Sequence, residues 1–107
     1  YFQINTIGLI GEKNYLVRVT VASTLGLLAE KVEEGDVVGT LFPIAKAAAA
    51  DPVANVRFNI AKSLEKMAKR VSAGSATKTE ILEVLDGLKA DSDVDVQFYA
   101  SEARNAL

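Results

Sequence analysis

The chain has 107 residues, of which 50% are hydrophobic and 24% are charged, and its formal net charge is −2. This length fits a single domain, and a nearly balanced charge gives no reason to expect nucleic acid or an acidic membrane surface as a partner. The chain contains neither Cys nor His, which excludes disulfides, Ser-His-Asp and Cys-His catalysis and most zinc sites. We therefore predict no catalytic residue, no metal and no cofactor.

The apolar segments of the chain are short. The uncharged runs over 19–29 and 37–45 fall below the roughly 18 residues that a membrane helix needs. No basic segment precedes an apolar run with a small-residue cleavage site, so we also expect no signal peptide. The expectation is a soluble protein without a membrane partner, located in the cytoplasm, with the nucleus as a second compartment.

Hydrophobic periodicity predicts six helices and no strand. The first covers 4–10 and should end at one of two nearby glycines. The second covers 14–32 and is apolar on more than one side, as expected of a helix between two layers. Gly35-Asp36 should end it and cap the third helix, over 37–50, which Pro43 should bend.

The fourth helix, over 53–71, has the clearest amphipathic pattern. Asp51 is predicted to cap its free N–H groups, and Pro52 to occupy its first helical position. Steps of one, three or four residues place its apolar side chains on one stripe: Val53, Val56, Ile60, Ala61, Leu64, Met67, Ala68 and Val71. This stripe predicts that Leu64 is a core residue between stacked helices.

The last two helices follow a loop of small residues over 72–76 that contains Gly74. A capping box, Thr77-x-x-Glu80, is predicted to begin the fifth helix. Its buried residues are predicted to be Ile81, Leu82, Leu85 and Leu88. The sixth helix is predicted over 94–107.

The sequence also repeats itself at an interval of about 40 residues, which is the period of HEAT and armadillo repeats. Val17-Arg18 recurs 39 positions later as Val56-Arg57, and Asp51 recurs 40 positions later as Asp91. Further matched pairs are Ala22 with Ala61, Leu25 with Leu64, Leu28 with Met67, and Val56 with Val96. A two-helix unit cannot bury both of its apolar faces alone, so such units stack and share one core.

The predicted fold is therefore all-α, an α-α superhelix of the HEAT-repeat solenoid type, with about six antiparallel helices in two and a half to three repeats. We expect one domain over 1–107, with a partial first repeat over 1–32, a second over 33–71 and a third, terminal repeat over 72–107. A preceding partner is missing for the apolar residues of the first helix, Ile4, Ile7 and Ile10. The chain is thus interpreted as a fragment, or the C-terminal end, of a longer solenoid.

Three segments resemble a known family. DPVANVRFNIAKSL, over 51–64, resembles the penultimate HEAT repeat of the scaffold (A) subunit of protein phosphatase 2A. DVDVQFYA, over 93–100, resembles the last repeat of that family, and NYLVRVT, over 14–20, is similar to the start of the second helix one repeat earlier. The resemblance covers nearly the whole chain, with departures over 25–38 and 69–78 and at Arg104.

This resemblance implies a non-catalytic scaffold that holds the catalytic subunit of the phosphatase and helps to assemble the holoenzyme. Regulatory subunits are expected on N-terminal repeats that this chain lacks. The predicted contacts with the catalytic subunit lie at the starts of the second helices: Tyr15, Arg18, Val53, Asn55, Asp93 and Val94. Asp51, Arg57 and Asp91 are predicted to form a lateral ladder, a row of hydrogen bonds between neighbouring repeats. The alternative prediction for Arg18 is that it takes part in this ladder and does not contact a partner.

Two other functions compete with this one. The chain could be a HEAT module of an unrelated assembly, such as one in transport or chromatin. An enzyme is the third hypothesis, and the lack of His, Cys and a Gly-rich phosphate loop argues against it.

Two charged motifs have plainer interpretations. Asp91-x-Asp93-x-Asp95 has the spacing of a calcium loop, but Val96 stands where that loop needs Gly, so a capped helix start is preferred. A basic edge on the fourth helix lacks the charge and the aromatic platforms of a nucleic-acid site and is interpreted as a solvated face. It consists of Lys62, Lys66, Lys69 and Arg70.

Overall fold

The computed structural model describes residues 14–107, and the regular structure within this range is entirely helical. The helices are α1 (Tyr15–Ala29), α2 (Glu34–Asp36, Val37–Leu41 and Phe42–Ala48 in one continuous run), α3 (Ala54–Ala68), α4 (Ala76–Lys89) and α5 (Val94–Asn105). The all-α, HEAT-type fold is thereby confirmed. The helix predicted over 4–10, with Ile4, Ile7 and Ile10, lies outside the described residues. Within them, no helix combines the length and the hydropathy needed to span a membrane.

The helices are arranged in two layers. α1, α3 and α5 form one layer, in which α3 packs against both of its neighbours. α2 and α4 form the other layer, and each of them also contacts α3. Helix α3 thus touches every other described helix and lies at the centre of the core.

The apolar stripe of α3 supplies the centre of that core. Its fully buried residues are Val56, Ile60, Ala61, Leu64, Met67 and Ala68. They share one cluster with buried residues of all four other described helices, among them Ala22, Leu41, Leu85 and Val96. The helical period of the sequence therefore predicted which face of α3 is buried.

Helix α4 begins two residues earlier than its predicted capping box. Gly74 has a φ of 81°, a conformation that other residues rarely adopt. The next residue, Ser75, is extended, and its hydroxyl accepts a hydrogen bond from the Lys78 N–H at 3.1 Å. Because Ser75 caps the helix, Thr77 lies inside the first turn, and the prediction of a capping box there is wrong.

The starts of α3 and α2 also differ from the predictions. The Asp51 carboxylate accepts a hydrogen bond from the Val53 N–H at 2.9 Å, and α3 begins only at Ala54. Pro52 therefore lies in the turn before the helix and not at its first position. Helix α2 begins at Glu34, so Gly35-Asp36 forms part of its first turn and does not cap it.

Pro43 affects α2 through a π-helical turn over Val37–Leu41. Proline has no N–H, so the carbonyl four residues before it cannot form its α-helical hydrogen bond. In the turn just before Pro43, the Phe42 N–H donates to the Val37 carbonyl, five residues back. The irregularity expected from Pro43 therefore takes the form of a widened helical turn.

Helices α1 and α3 are in close contact at Gly26 and Ser63. The buried Ser63 hydroxyl accepts a hydrogen bond from the Gly26 N–H at 3.0 Å and donates one to the Ala22 carbonyl at 2.5 Å. A Cβ on Gly26 would lie 2.9 Å from the Ser63 Oγ and 3.0 Å from the Ser63 Cα. The helix spacing here therefore depends on the absence of a side chain at position 26.

Leu64→Ala should destabilise the protein by about 2–5 kcal/mol, because it opens a cavity in the fully buried centre of α3. Urea unfolding followed by circular dichroism measures the loss. The matched control is Leu16→Ala, on a side chain that is 59% exposed, which should change stability by less than about 0.5 kcal/mol. An unfolding midpoint for Leu64→Ala equal to that of the parent would contradict the packing described here.

Gly26→Ala should also destabilise the protein, by about 1–3 kcal/mol, because the added methyl group overlaps Ser63. The control is Gly87→Ala in α4, where a Cβ meets nothing within 4 Å. There the higher helix propensity of Ala should stabilise the fold by up to about 1 kcal/mol. Thermal unfolding of the two variants should therefore shift in opposite directions, and equal shifts would contradict the close contact.

Candidate partner-binding ridge

An ion pair joins the start of α1 to the start of α3. The Arg18 guanidinium donates to the Asp51 carboxylate from Nε, at 2.7 Å, and from Nη2, at 3.3 Å. Both side chains are mostly buried, with 11% and 9% of their surface exposed. Two parallel hydrogen bonds fix the guanidinium and carboxylate planes relative to each other. The structure thus places Arg18 in the lateral ladder, and its contact with a partner protein stays a prediction.

The same pair recurs between α3 and α5. Arg57 Nε and Nη2 donate to the Asp91 carboxylate at 2.8 and 3.0 Å, and Nη1 donates to the Asp51 carbonyl at 2.8 Å. Gln97 stands at the corresponding position in α5 and donates to the Asp91 carbonyl at 2.5 Å. Arg57 therefore connects two successive repeats. Gln97 makes only the equivalent of the hydrogen bond from Arg57 to a backbone carbonyl, without an ion pair.

Each aspartate of this ladder also shapes the turn that follows it. The Asp51 carboxylate accepts from the Val53 N–H, and the Asp91 carboxylate accepts from the Asp93 N–H, each at 2.9 Å. The pKa of Asp91 is lowered, mainly by the hydrogen bond from Arg57. Burial of the carboxyl acts in the opposite direction and raises the pKa, and the hydrogen bond from the Asp93 N–H lowers it further. The ladder therefore sets both the spacing of the helices and the shape of the turns before them.

The ladder aligns the N-terminal ends of α1, α3 and α5 along one edge of the first layer. Four of the predicted contact residues lie on this edge, and we call them the ridge: Tyr15, Val53, Asn55 and Val94. Val94 is 74% exposed and Tyr15 is 45% exposed. Asn55 is exposed and Val53 is half-buried. The ridge thus presents apolar side chains to solvent on a rigid base.

Asp93, the remaining predicted contact residue, has a structural task at the same edge. Its carboxylate accepts a hydrogen bond from the Val96 N–H at 3.0 Å and caps α5. Asp91 and Asp93 are thus engaged by an arginine and by backbone N–H groups. In the described part of the chain, no group of three or more acidic residues is arranged to hold a metal ion.

The basic edge of α3 makes structural contacts that the sequence did not predict. Arg70 Nε donates to the Ala29 carbonyl at 2.9 Å, and its Nη2 donates to the Val32 carbonyl. The side chain thereby caps the C-terminal end of α1, as cations do at helix ends. Lys69, the C-cap residue of α3, pairs with Glu65 of that helix at 3.0 Å. The sequence carried no signal for the Arg70 contacts, because their partners lie about 40 residues away.

A second contact holds the same end of the layers together. The Glu34 carboxylate accepts hydrogen bonds from the Ser72 N–H at 2.8 Å and from its hydroxyl at 2.9 Å. The Ser72 N–H is the main cause that lowers the pKa of Glu34. The start of α2 is therefore tied to the loop that follows α3.

Aromatic residues of α3 and α5 form a cluster that local sequence patterns did not predict. Phe58 and Tyr99 stack with their ring centroids 5.2 Å apart, and Phe98 meets Tyr99 edge-on at 5.2 Å. Phe58 and Phe98 are 40 positions apart. This equals the repeat offset, and it is the signal that could have predicted the cluster.

Asp91→Asn should remove part of the acid sensitivity of folding. Arg57 lowers the pKa of the Asp91 carboxyl in the folded state, whereas an unfolded Asp titrates at about 3.9. Such a group contributes stability above its unfolded pKa and loses it as the pH falls through the folded pKa. The stability difference between parent and variant, measured by urea unfolding, should therefore be largest at about pH 7 and shrink below about pH 4.

The control for this measurement is Glu83→Gln, on the exposed side of α4. The stability difference between this variant and the parent should be small both at about pH 7 and below about pH 4. A difference for Asp91→Asn that stays constant into the acid range would show that the ion pair with Arg57 does not stabilise the fold.

Sequence comparison agrees with the repeat architecture. No family model matches the chain. The A regulatory subunit of protein phosphatase PP2A from Saccharomyces cerevisiae is 34% identical over 96 residues, which are 85% of this chain and 15% of the yeast protein. The serine/threonine-protein phosphatase PP2A 65 kDa regulatory subunit of Drosophila melanogaster is 49% identical over 55 residues. The beta isoform of the 65 kDa regulatory (A) subunit of serine/threonine-protein phosphatase 2A from Homo sapiens is 46% identical over 55 residues.

The two matches of 55 residues each cover 51% of this chain and 9% of the relative. The chain thus spans only 9–15% of the length of the curated relatives that it matches. Together with the two-layered helical repeats, these matches show that the chain resembles the HEAT repeats of the 65 kDa regulatory (A) subunit of protein phosphatase 2A.

Proposed function

We propose that the chain is part of a non-catalytic scaffold subunit of protein phosphatase 2A, and that its ridge binds the phosphatase catalytic subunit. The observation that carries the proposal is the Arg–Asp ladder, which aligns exposed side chains of successive repeats along one edge. The similarity to proteins named as regulatory subunits supports a scaffold role in general. In this proposal the chain is the C-terminal, catalytic-subunit end of the scaffold, and regulatory subunits bind to other repeats.

The ridge has the properties of a binding edge. Tyr15 and Val94 expose apolar surface that would be buried on contact with a partner, and Tyr is among the residue types most often found at energetic hot spots. The ladder already holds the backbone of these helix starts in place. Binding would therefore order few additional groups, which reduces its entropic cost.

The chemistry of the chain supports a non-catalytic role. Without Cys or His, an active site would depend on carboxylates, Lys or Tyr. The carboxylates nearest the ridge, Asp51, Asp91 and Asp93, accept hydrogen bonds from arginines or from the backbone. These groups stabilise the fold, and the ridge offers surface for recognition.

Tyr15→Ala combined with Val94→Asp should weaken binding of purified phosphatase catalytic subunit by roughly tenfold or more, because it removes one apolar anchor and places a charge on the other. Both side chains are exposed, so circular dichroism and thermal unfolding should stay close to those of the parent. Biolayer interferometry with the immobilised 107-residue chain measures the affinity. Arg18 is left unchanged because its truncation would remove the ion-pair partner of Asp51 and lower stability.

The control is Lys66→Ala, in the last turn of α3 and three turns away from the ridge, which should bind the catalytic subunit with the affinity of the parent. Equal affinity of the double variant and the parent would contradict the assignment of the ridge. No binding by the parent itself would favour a HEAT module of an unrelated assembly, such as one in transport or chromatin.

A further inference from the structure

A second surface lies on the outer face of the first layer and begins one helical turn beyond the ridge. Phe98, on α5, is 55% exposed although it is a large apolar residue. Its ring packs edge-on, at an interplanar angle of 82°, against Tyr99, which in turn stacks on Phe58 of α3 at 28°. We call these three residues the aromatic patch. Because the rings hold one another in place, Phe98 is already ordered for contact with another molecule.

Lys62 covers the patch with positive charge. Its ammonium lies 4.2 Å from the centroid of the Tyr99 ring and 5.5 Å from that of Phe58. It forms no ion pair with any carboxylate in the described range 14–107. The cation is therefore held by the ring faces alone and keeps its capacity to bind an anion.

A groove of about 250 Å³ continues the patch along the junction of α1 and α3. Its lining consists of Ser23, Leu27, Asn59, Lys62, Ser63 and Lys66. Lys62 lines the groove and also lies over two rings of the patch, so the two features are contiguous. Leu27 is 53% exposed and supplies an apolar wall.

The charged side chains that line the groove are both lysines. Lys66 pairs with Glu30 at 3.4 Å, but the side chains are 42% and 55% exposed. An ion pair at this exposure contributes little, and a carboxylate of another molecule can replace Glu30. The groove therefore offers two cations beside the exposed aliphatic side chain of Leu27, and the aromatic patch next to it adds the exposed ring of Phe98.

We propose that this face of α1, α3 and α5 binds an acidic segment of a partner protein that carries an aromatic or aliphatic side chain. Carboxylates of the segment pair with Lys62 and Lys66, and its apolar side chain packs against Phe98 or Leu27. A basic segment is disfavoured, because Lys62 already occupies the ring faces that would attract it. A nucleic acid is disfavoured as well, because the faces of Phe58 and Tyr99 stack on each other and the chain has a net charge of −2.

The test uses the full 107-residue chain and a fluorescein-labelled peptide, Gly-Glu-Glu-Phe-Glu-Glu-Gly, whose binding is followed by fluorescence anisotropy. The comparison probes are Gly-Lys-Lys-Phe-Lys-Lys-Gly and a single-stranded oligouridine. We expect the acidic peptide to bind more tightly than either comparison probe, and its affinity to fall as salt is added. Nuclear magnetic resonance shifts on adding the peptide should map to Leu27, Lys62 and Phe98.

Two charge reversals then locate the site. Lys62→Glu should weaken binding of the acidic peptide by about tenfold or more, because it replaces an attraction with a repulsion. The matched control is Lys46→Glu on α2, in the other layer. The Lys46 side chain is 57% exposed, and its ion pair with Glu80 is long, at 4.0 Å. This variant, and Tyr15→Ala on the ridge, should bind the peptide as the parent does.

Four results would overturn the proposal. The first is that the acidic peptide does not bind, and the second is that the basic peptide or the oligouridine binds as tightly. The third is that Lys46→Glu weakens binding as much as Lys62→Glu. The fourth is that the chain dimerises through this face, seen as self-association in sedimentation that Phe98→Ser abolishes.

Discussion

The pairing of arginine and aspartate across repeats is the interaction on which the rest of this structure depends. Arg18 and Arg57 each reach from the first turn of one helix to the aspartate before the next helix of the same layer. The same aspartates accept backbone N–H groups of the turns that follow. One carboxylate thus fixes the helix spacing, the turn and the start of the next helix together.

The main role of these ion pairs is to fix how one repeat stacks on the next, rather than to add stability. Removing mostly buried charges from water is costly, and their attraction offsets this cost only when the geometry is good. Here each pair has two hydrogen bonds, and Arg57 adds a third to the Asp51 carbonyl. A shift of one repeat against the next would break several of these bonds at once. The ladder therefore selects one stacking register, while the apolar stripe of α3 supplies the centre of the core.

The opposite ends of the same helices are held by different chemistry. Arg70 donates to carbonyl groups at the end of α1, and Glu34 accepts from Ser72. Between the two ends, Gly26 and Ser63 bring the backbones of α1 and α3 into close contact. The first layer is thus restrained at both ends and in the middle. Such a rigid layer can present the ridge along one edge and the aromatic patch with its groove on its outer face.

The sequence by itself determined the helical class, the repeat interval and the buried face of α3, because these features depend on spacings within one helix or on recurrence along the chain. It also placed Asp51, Arg57 and Asp91 at repeating positions. Only the tertiary structure decided which groups meet. The choice of Ser75 over Thr77 as a cap depends on the turn at Gly74. The pairing of Arg18 with Asp51, and the stacking of Phe58 on Tyr99, depend on the distance between neighbouring helices, which no local pattern encodes.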